Sequence, residues 1–324
     1  MVCRPIGPLS TFLFVVISII STVTTASAQP AYPKKPINLI VPIPAGAVVD
    51  LFARSVAEEA KQSLQQPVVV MNRVGAAGTV GTAEVIAAKP DGYTIGFVTR
   101  IMLTLQPQRT ELPYKGPEDL QPVINLASLP YVVAVRTESP WTTLNDLIAF
   151  AKANPGKLRF GRAGAGTVED INLRIVQEKN EISFAVVPVT GDAEASAQIL
   201  GGHIDTKFLG GSIAPMVKAG KMRALAVVGD QRSPLFPDTP TFRELGYDFG
   251  LLPHFCIIAP KGTPKNIVEI LHKAFQKALE SERVKKTASE NMIFLEYLGT
   301  NDLKNQLGQE NTLFRDIIKK YDLK

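Results

Sequence analysis

The chain has 324 residues, a formal net charge of +5, 45% hydrophobic residues, two cysteines and 24 each of glycine and proline. That length is too great for one small domain and fits two of roughly 150 residues; the apolar fraction excludes global disorder. Two cysteines exclude a disulfide scaffold, and a mild charge with no long basic run leaves nucleic acid without a binding surface.

The amino terminus reads as a secretory signal. Arg4 gives a positive start, and residues 11–20 (TFLFVVISII) form an apolar run too short to span a bilayer as a helix. Small residues follow, with Ala26, Ser27 and Ala28 as an A-x-A cleavage site. Residues 1–28 are therefore expected to leave, and a soluble, exported protein to remain. Cys3 leaves with them; it precedes the apolar run, so it is no lipidation site. Cys256 stays, in the run HFCIIAP, where a small core hydrophobe is expected rather than a reactive thiol.

Residues 37–43 (INLIVPI) read as a buried strand, and PAGA at 44–47 as a tight turn. From Val48, apolar residues Val49, Phe52, Ala53, Val56, Ala57 and Ala60 recur at helical spacing. Asp50 is placed to cap that helix or hold its loop. A strand at 66–71, a glycine turn at 72–78, a helix to about Ala88 and a strand at 93–99 come next. The pattern restarts with a strand at 131–136 and a helix at 143–153, preceded by Trp141 as a packing residue. Then come a strand at 158–161, the turn RAGAGT at 162–167 and a helix carrying Ile171, Leu173, Ile175 and Val176. Strands at 184–189, 204–209 and 223–228 and a helix at 192–200 complete the second set. A proline-rich crossing at 234–240 leads to a strand at 255–259. A helix begins with Thr263 as its cap and Pro264 at its first position, and a last helix covers 302–321. Strands alternating with helices predict βαβ units and mostly parallel sheets.

Catalytic machinery is not visible. His203, His254 and His272 are scattered, with no H-E-x-x-H, no Cys/His cluster, no G-x-S-x-G and no phosphate-binding loop. What recurs is a strand, a turn of small residues and a helix start, at 44–47, 75–79 and 164–167. Small residues allow close approach to the backbone, and a helix N-terminus offers unpaired N–H groups to an anion. Thr99 and Arg100 end a strand, and Arg162 follows another, at the carboxyl ends where ligands bind in open α/β sheets. Either guanidinium could grip a carboxylate or lie solvated at the surface.

Longer segments carry a resemblance. YPKKPINLIVPIPAGAVVDLFAR and QPVVVMNRVGAAGTVGTAEVIAAKPDGYTI resemble the Bug proteins, the extracytoplasmic receptors of tripartite tricarboxylate transporters. LNDLIAFAKANPGKLRFG, VVPVTGDAEASAQILGGHIDT, KAGKMRALAV, FPDTPTFRELGY and IIAPKGTP match in order. The resemblance implies an α/β, two-lobed periplasmic-binding-protein (type II, Venus flytrap) fold, each lobe a mostly parallel sheet flanked by helices. It implies a receptor, not an enzyme, that hands a small organic acid to membrane permease subunits. In that family, backbone amides and waters at two loops hold the ligand carboxylate. Here those loops carry Pro44, Ala45, Gly46 and Ala47, and Arg162, Ala163, Gly164, Gly166 and Thr167. The chain departs from the family at the same places. Ala47 stands where a second glycine is usual, Arg162 replaces a serine and Asp170 a histidine. Val189 and Thr190 replace a tyrosine and a lysine, His254 a tryptophan, and Arg100 a small or polar residue.

The expected organisation is thus a signal at 1–28, one lobe from 29–129 with 237–324 and a second from 130–236. The expected site comprises the two loops with Thr99, Arg100 and Val189. A monomer without cofactor or metal is expected, its ligand a small carboxylate such as a dicarboxylate or an aromatic acid. An exported enzyme on the same fold and a sensory receptor using the same pocket are the alternative readings.

Overall fold

The computed structural model describes residues 1–2, 32–164, 166–229, 231–247 and 250–323. The leader's apolar run and its A-x-A site lie outside the described residues. Residues Pro33–Lys324 form one unit.

Among the described residues of that unit are eleven α-helices and eleven strands. They are β1 (Ile37–Val41), α1 (Val48–Leu64), β2 (Val68–Asn72), α2 (Thr79–Ile86), β3 (Thr94–Thr99), α3 (Ile101–Thr104), α4 (Gln106–Arg109), β4 (Leu120–Ser128), β5 (Tyr131–Arg136) and α5 (Leu144–Ala153). Next come β6 (Arg159–Arg162), α6 (Val168–Asn180), β7 (Ala185–Pro188), α7 (Asp192–Leu200), β8 (Lys207–Leu209), α8 (Ala214–Lys218) and β9 (Met222–Val228). The chain closes with β10 (His254–Pro260), α9 (Lys265–Leu279), α10 (Glu282–Glu290), β11 (Phe294–Leu298) and α11 (Thr300–Tyr321).

A six-stranded sheet runs β11-β4-β10-β3-β1-β2 and draws strands from both ends of the chain. The middle of the chain makes β8-β5-β9 and the pair β6-β7, with a bridge between Phe160 and Thr206 beside β8. The parallel pairing expected from the βα alternation holds for β2-β1-β3 and for β6-β7. The sheets are mixed, because β10 enters between β3 and β4 antiparallel to both, β11 pairs antiparallel with β4, and β5 pairs antiparallel with β8 and β9.

Alternation along the strands sorts the core. Phe97 of β3 stacks on Phe255 of β10 at 5.5 Å and meets Phe52 of α1. On the opposite face Val98, Cys256 and Ile258 pack with Leu303 and Leu307 of α11. The apolar stripe of α1 read from the sequence is buried at every one of its six positions, which is the signature of a helix seated on a sheet. Trp141 packs edge-on against Phe150 of α5. Cys256 is fully buried, and burial pushes its thiol up to about 12, so it is a packing residue.

One helix start differs from expectation. Pro264, not Thr263, is the N-cap of α9, with extended backbone angles. The Thr263 hydroxyl donates backward to the Pro260 carbonyl at 2.7 Å, closing the turn after β10 instead of capping the helix.

Candidate functional site

The turn after β1 exists because of one glycine and one carboxylate. Gly46 has φ +81, a conformation that favours glycine. Its N–H donates to Asp50 Oδ2 at 2.9 Å. Asp50 is the third residue of α1 and is 1% exposed. The Arg54 Nε donates to the same oxygen at 2.9 Å, and Asn72 of β2 donates to Oδ1 at 2.8 Å. Asn72 also donates to the Ile43 carbonyl at 2.9 Å and accepts from Arg54. Burial pushes the Asp50 carboxyl up, but the bonds from Arg54, Asn72 and Gly46 together hold it below its ordinary value. The N-cap, Ala47, has no side chain that can cap, so Asp50 supplies the acceptor from one turn inside. This is the loop-holding role expected of it from the sequence.

The same device recurs at α6. Gly166 has φ +67, and its N–H donates to Asp170 Oδ2 at 2.8 Å. Arg174 Nε reaches that oxygen at 3.1 Å, and Arg162 Nη1 reaches Oδ1 at 3.1 Å. The Thr167 hydroxyl, at the N-cap, accepts from the Asp170 amide and donates to the Gly164 carbonyl at 3.2 Å. Both segments read G-x-x-x-D-x-x-x-R: Gly46, Asp50, Arg54 and Gly166, Asp170, Arg174. Sequence reasoning noted the glycine turns but missed this repeat, whose spacing was the available signal. Each copy fixes a glycine turn at the N-terminus of a helix of more than ten residues. The remaining orphan amides of the first turn are then presented in a fixed direction.

The expected site residues divide by position. Pro44, Ala45, Gly46 and Ala163 are exposed; Ala47, Arg162, Gly164 and Thr167 are half-buried; Gly166 and Val189 are buried. Val189 ties to its neighbour, its N–H donating to the Arg162 carbonyl at 3.1 Å. Thr99 and Arg100 are adjacent, but Thr99 ends β3 while Arg100, with helical backbone angles, leads into α3. The Thr99 hydroxyl is buried without a hydrogen-bond partner. Arg100 is 3% exposed, and its Nη2 lies 2.7 Å from Glu310 of α11. Burial lowers its pKa against the pull of Glu310. Both arginines therefore have carboxylate partners within the chain, at Glu310 and Asp170.

Arg100 lines a cavity of about 550 Å³ with His254, Glu296 and Glu310. His254 Nδ1 lies 2.8 Å from Glu296 Oε2, and the Ser128 hydroxyl donates to Oε1 at 2.6 Å. Burial raises the Glu296 carboxyl, but His254 and Ser128 hold it below its ordinary value. Glu296 and Glu310 lay outside the sequence prediction, as did Lys207 of β8. Lys207 is 1% exposed; its Nζ donates to Asp192 Oδ1 at 2.9 Å and to the Phe208 carbonyl, and lies 2.8 Å from Glu169. Asp192 Oδ2 accepts from the Gly210 amide at 2.7 Å. Burial raises the Glu169 carboxyl despite Lys207. Among the described residues no helix is long and apolar enough to cross a membrane.

Residues 52–323 match the profile of the tripartite tricarboxylate transporter family receptor, TctC. The chain belongs to that family. It is 35% identical over 260 residues to the protein BugT of Bordetella pertussis, covering 78% of this chain and 79% of that one. Among solved structures it is similar to a ligand-free TctC solute-binding protein from Polaromonas, with TM-score 0.78 and 29% identity over 90% of this chain and all of that one. It is also similar to an R. palustris protein solved with adipate, with TM-score 0.75 and 25% identity over 89% of this chain and 98% of that one. The chain therefore has the mixed α/β fold of the solute-binding receptors it resembles. The tandem of glycine turns sits within a receptor scaffold.

Proposed function

We propose that this TctC-family protein is an exported periplasmic receptor. It captures a small organic carboxylate between two lobes, 29–129 with 237–324 and 130–236, and passes it to a tripartite tricarboxylate-type membrane transporter without chemical turnover. The observation that carries the reading is the duplicated Gly–Asp–Arg turn. One copy heads α1 and the other α6, and each fixes a helix N-terminus where a carboxylate is favoured.

In this reading the ligand lies against the turns at 44–47 and 162–167, near Thr99 and Val189. The ligand's differential affinity for the closed form drives hinge closure. Arg162 acts through Asp170, which it already pairs with, and Arg100 meets the ligand only by sharing itself with Glu310. The adipate in the R. palustris structure supports a dicarboxylate as the first candidate.

The test is calorimetric titration with mono-, di- and aromatic carboxylates, followed by chromatography of the ligand after long incubation. One saturable site and an unaltered ligand are expected. A panel in which no acid binds overturns the reading, and a consumed ligand turns it toward an enzyme.

A further inference from the structure

Gly166 is held through the peptide groups on both its sides. Its N–H is taken by Asp170, which Arg162 also binds. Its carbonyl accepts from Nη1 of Arg109 at 3.0 Å. Arg109 is the last residue of α4, in the connection between β3 and β4, so it reaches the α6 turn from the other sheet's side of the chain. Its Nε donates to the Leu323 carbonyl at 2.7 Å. Leu323 is anchored in turn: it is 4% exposed and packs in an apolar cluster with Leu105, Ile171, Phe314, Ile317 and Ile318. Beside it, Lys320 and Tyr321 both bind Glu178 of α6.

The contact is intimate. A Cβ on Gly166 would lie 2.3 Å from Arg109 Cζ, so the guanidinium fills the space that any other residue would need. The peptide group is planar and trans. Fixing the Gly166 carbonyl therefore fixes the direction of the Thr167 N–H on the far side of the same plane. That amide is among the orphan donors at the start of α6.

We infer that Arg109 is a positioning residue for ligand capture: it aims the Thr167 amide, with the last turn of the chain as its support. This rests on the reading that the 162–167 turn faces the ligand. Arg109 itself does not touch the ligand.

The experiment compares wild type with Arg109→Ala, Arg109→Lys and Gln108→Ala. It reads hydrogen exchange in peptides covering residues 162–172 and, separately, affinity for adipate or whichever carboxylate of the panel binds the wild type. Gln108 is the control, because it binds the Asn311 carbonyl on α11 from the same short helix and leaves the turn alone. Losing a charge-assisted bond to a carbonyl predicts about tenfold faster exchange in the turn and about tenfold weaker binding for Arg109→Ala. Arg109→Lys, which keeps the charge but not the fork, falls between, and it serves if Arg109→Ala does not fold. Gln108→Ala matches wild type in both readouts. Wild-type exchange in the turn of Arg109→Ala overturns the inference, as does an equal loss in Gln108→Ala. If no carboxylate binds the wild type, the receptor reading fails, while the exchange arm still decides whether Arg109 fixes the turn.

Discussion

The two Gly–Asp–Arg turns share a pattern and differ in what surrounds them. The turn at Gly46 is supported by its own sheet: Asn72, at the end of the neighbouring strand β2, completes the Asp50 carboxylate. The turn at Gly166 draws on more distant chain. Arg162 arrives from β6, and Arg109 reaches it from 57 positions back, itself held by the Leu323 carbonyl 214 positions further along the chain. The first turn can therefore form with β1, α1 and β2, whereas the second is complete only when the chain's last turn is in place.

Removing the carboxylates separates the two turns most strongly. Asp170→Ala leaves Arg162, Arg174 and the Gly166 amide without their acceptor, and about 3 kcal/mol of stability is expected to go. Asp50→Ala strands Arg54, Asn72 and the Gly46 amide for about 2 kcal/mol, because Arg54 is nearly half exposed and rehydrates. Urea unfolding measures both. Equal losses, or a larger one at Asp50, contradict the difference drawn between the turns.

The glycines give a smaller and sharper contrast. Gly46→Ala places its Cβ in open space, so only the positive φ is strained, for about 1 kcal/mol. Gly166→Ala adds a collision with Arg109 and is expected to cost roughly 2–3 kcal/mol. In an Arg109→Ala background that excess should vanish. A thermal-unfolding double-mutant cycle reads the coupling, and strict additivity contradicts the contact.

The smallest effect is on pH. The native Asp50 carboxyl sits below its ordinary value of 3.8. Its contribution is complete above pH 3.8 and is lost as the pH falls from there through the lowered native value. Wild type should thus lose stability over that acid range more steeply than Asp50→Asn. Parallel curves contradict the assignment.

Much of the fold was legible in the sequence, and the rest failed for identifiable reasons. β5 and α7 appear at their expected bounds, and α1 shows its full buried stripe, because each has a clear period and turn residues at its ends. β4 was not anticipated. It is buried along nearly all its length, so it has no alternation. It also holds Pro122, which breaks the strand pattern but is tolerated beside a register shift opposite Ile258. Asn125 and Ser128 hide it further; both are buried and bind Glu296. In the candidate site, the turns and the role of Asp50 depend on contacts four residues apart and could be read locally. The partners of Arg100 and Arg109, Glu310 and Leu323, lie at the other end of the chain. No local pattern carries such a pairing.

We propose that this protein holds an organic acid without changing it. Native mass spectrometry of the protein purified from the periplasm, before and after incubation with adipate and the other acids, decides the matter. A one-to-one complex is expected, its added mass equal to an intact carboxylic acid and lost on unfolding. A protein that stays at its bare mass with every acid, or that releases an altered one, contradicts it.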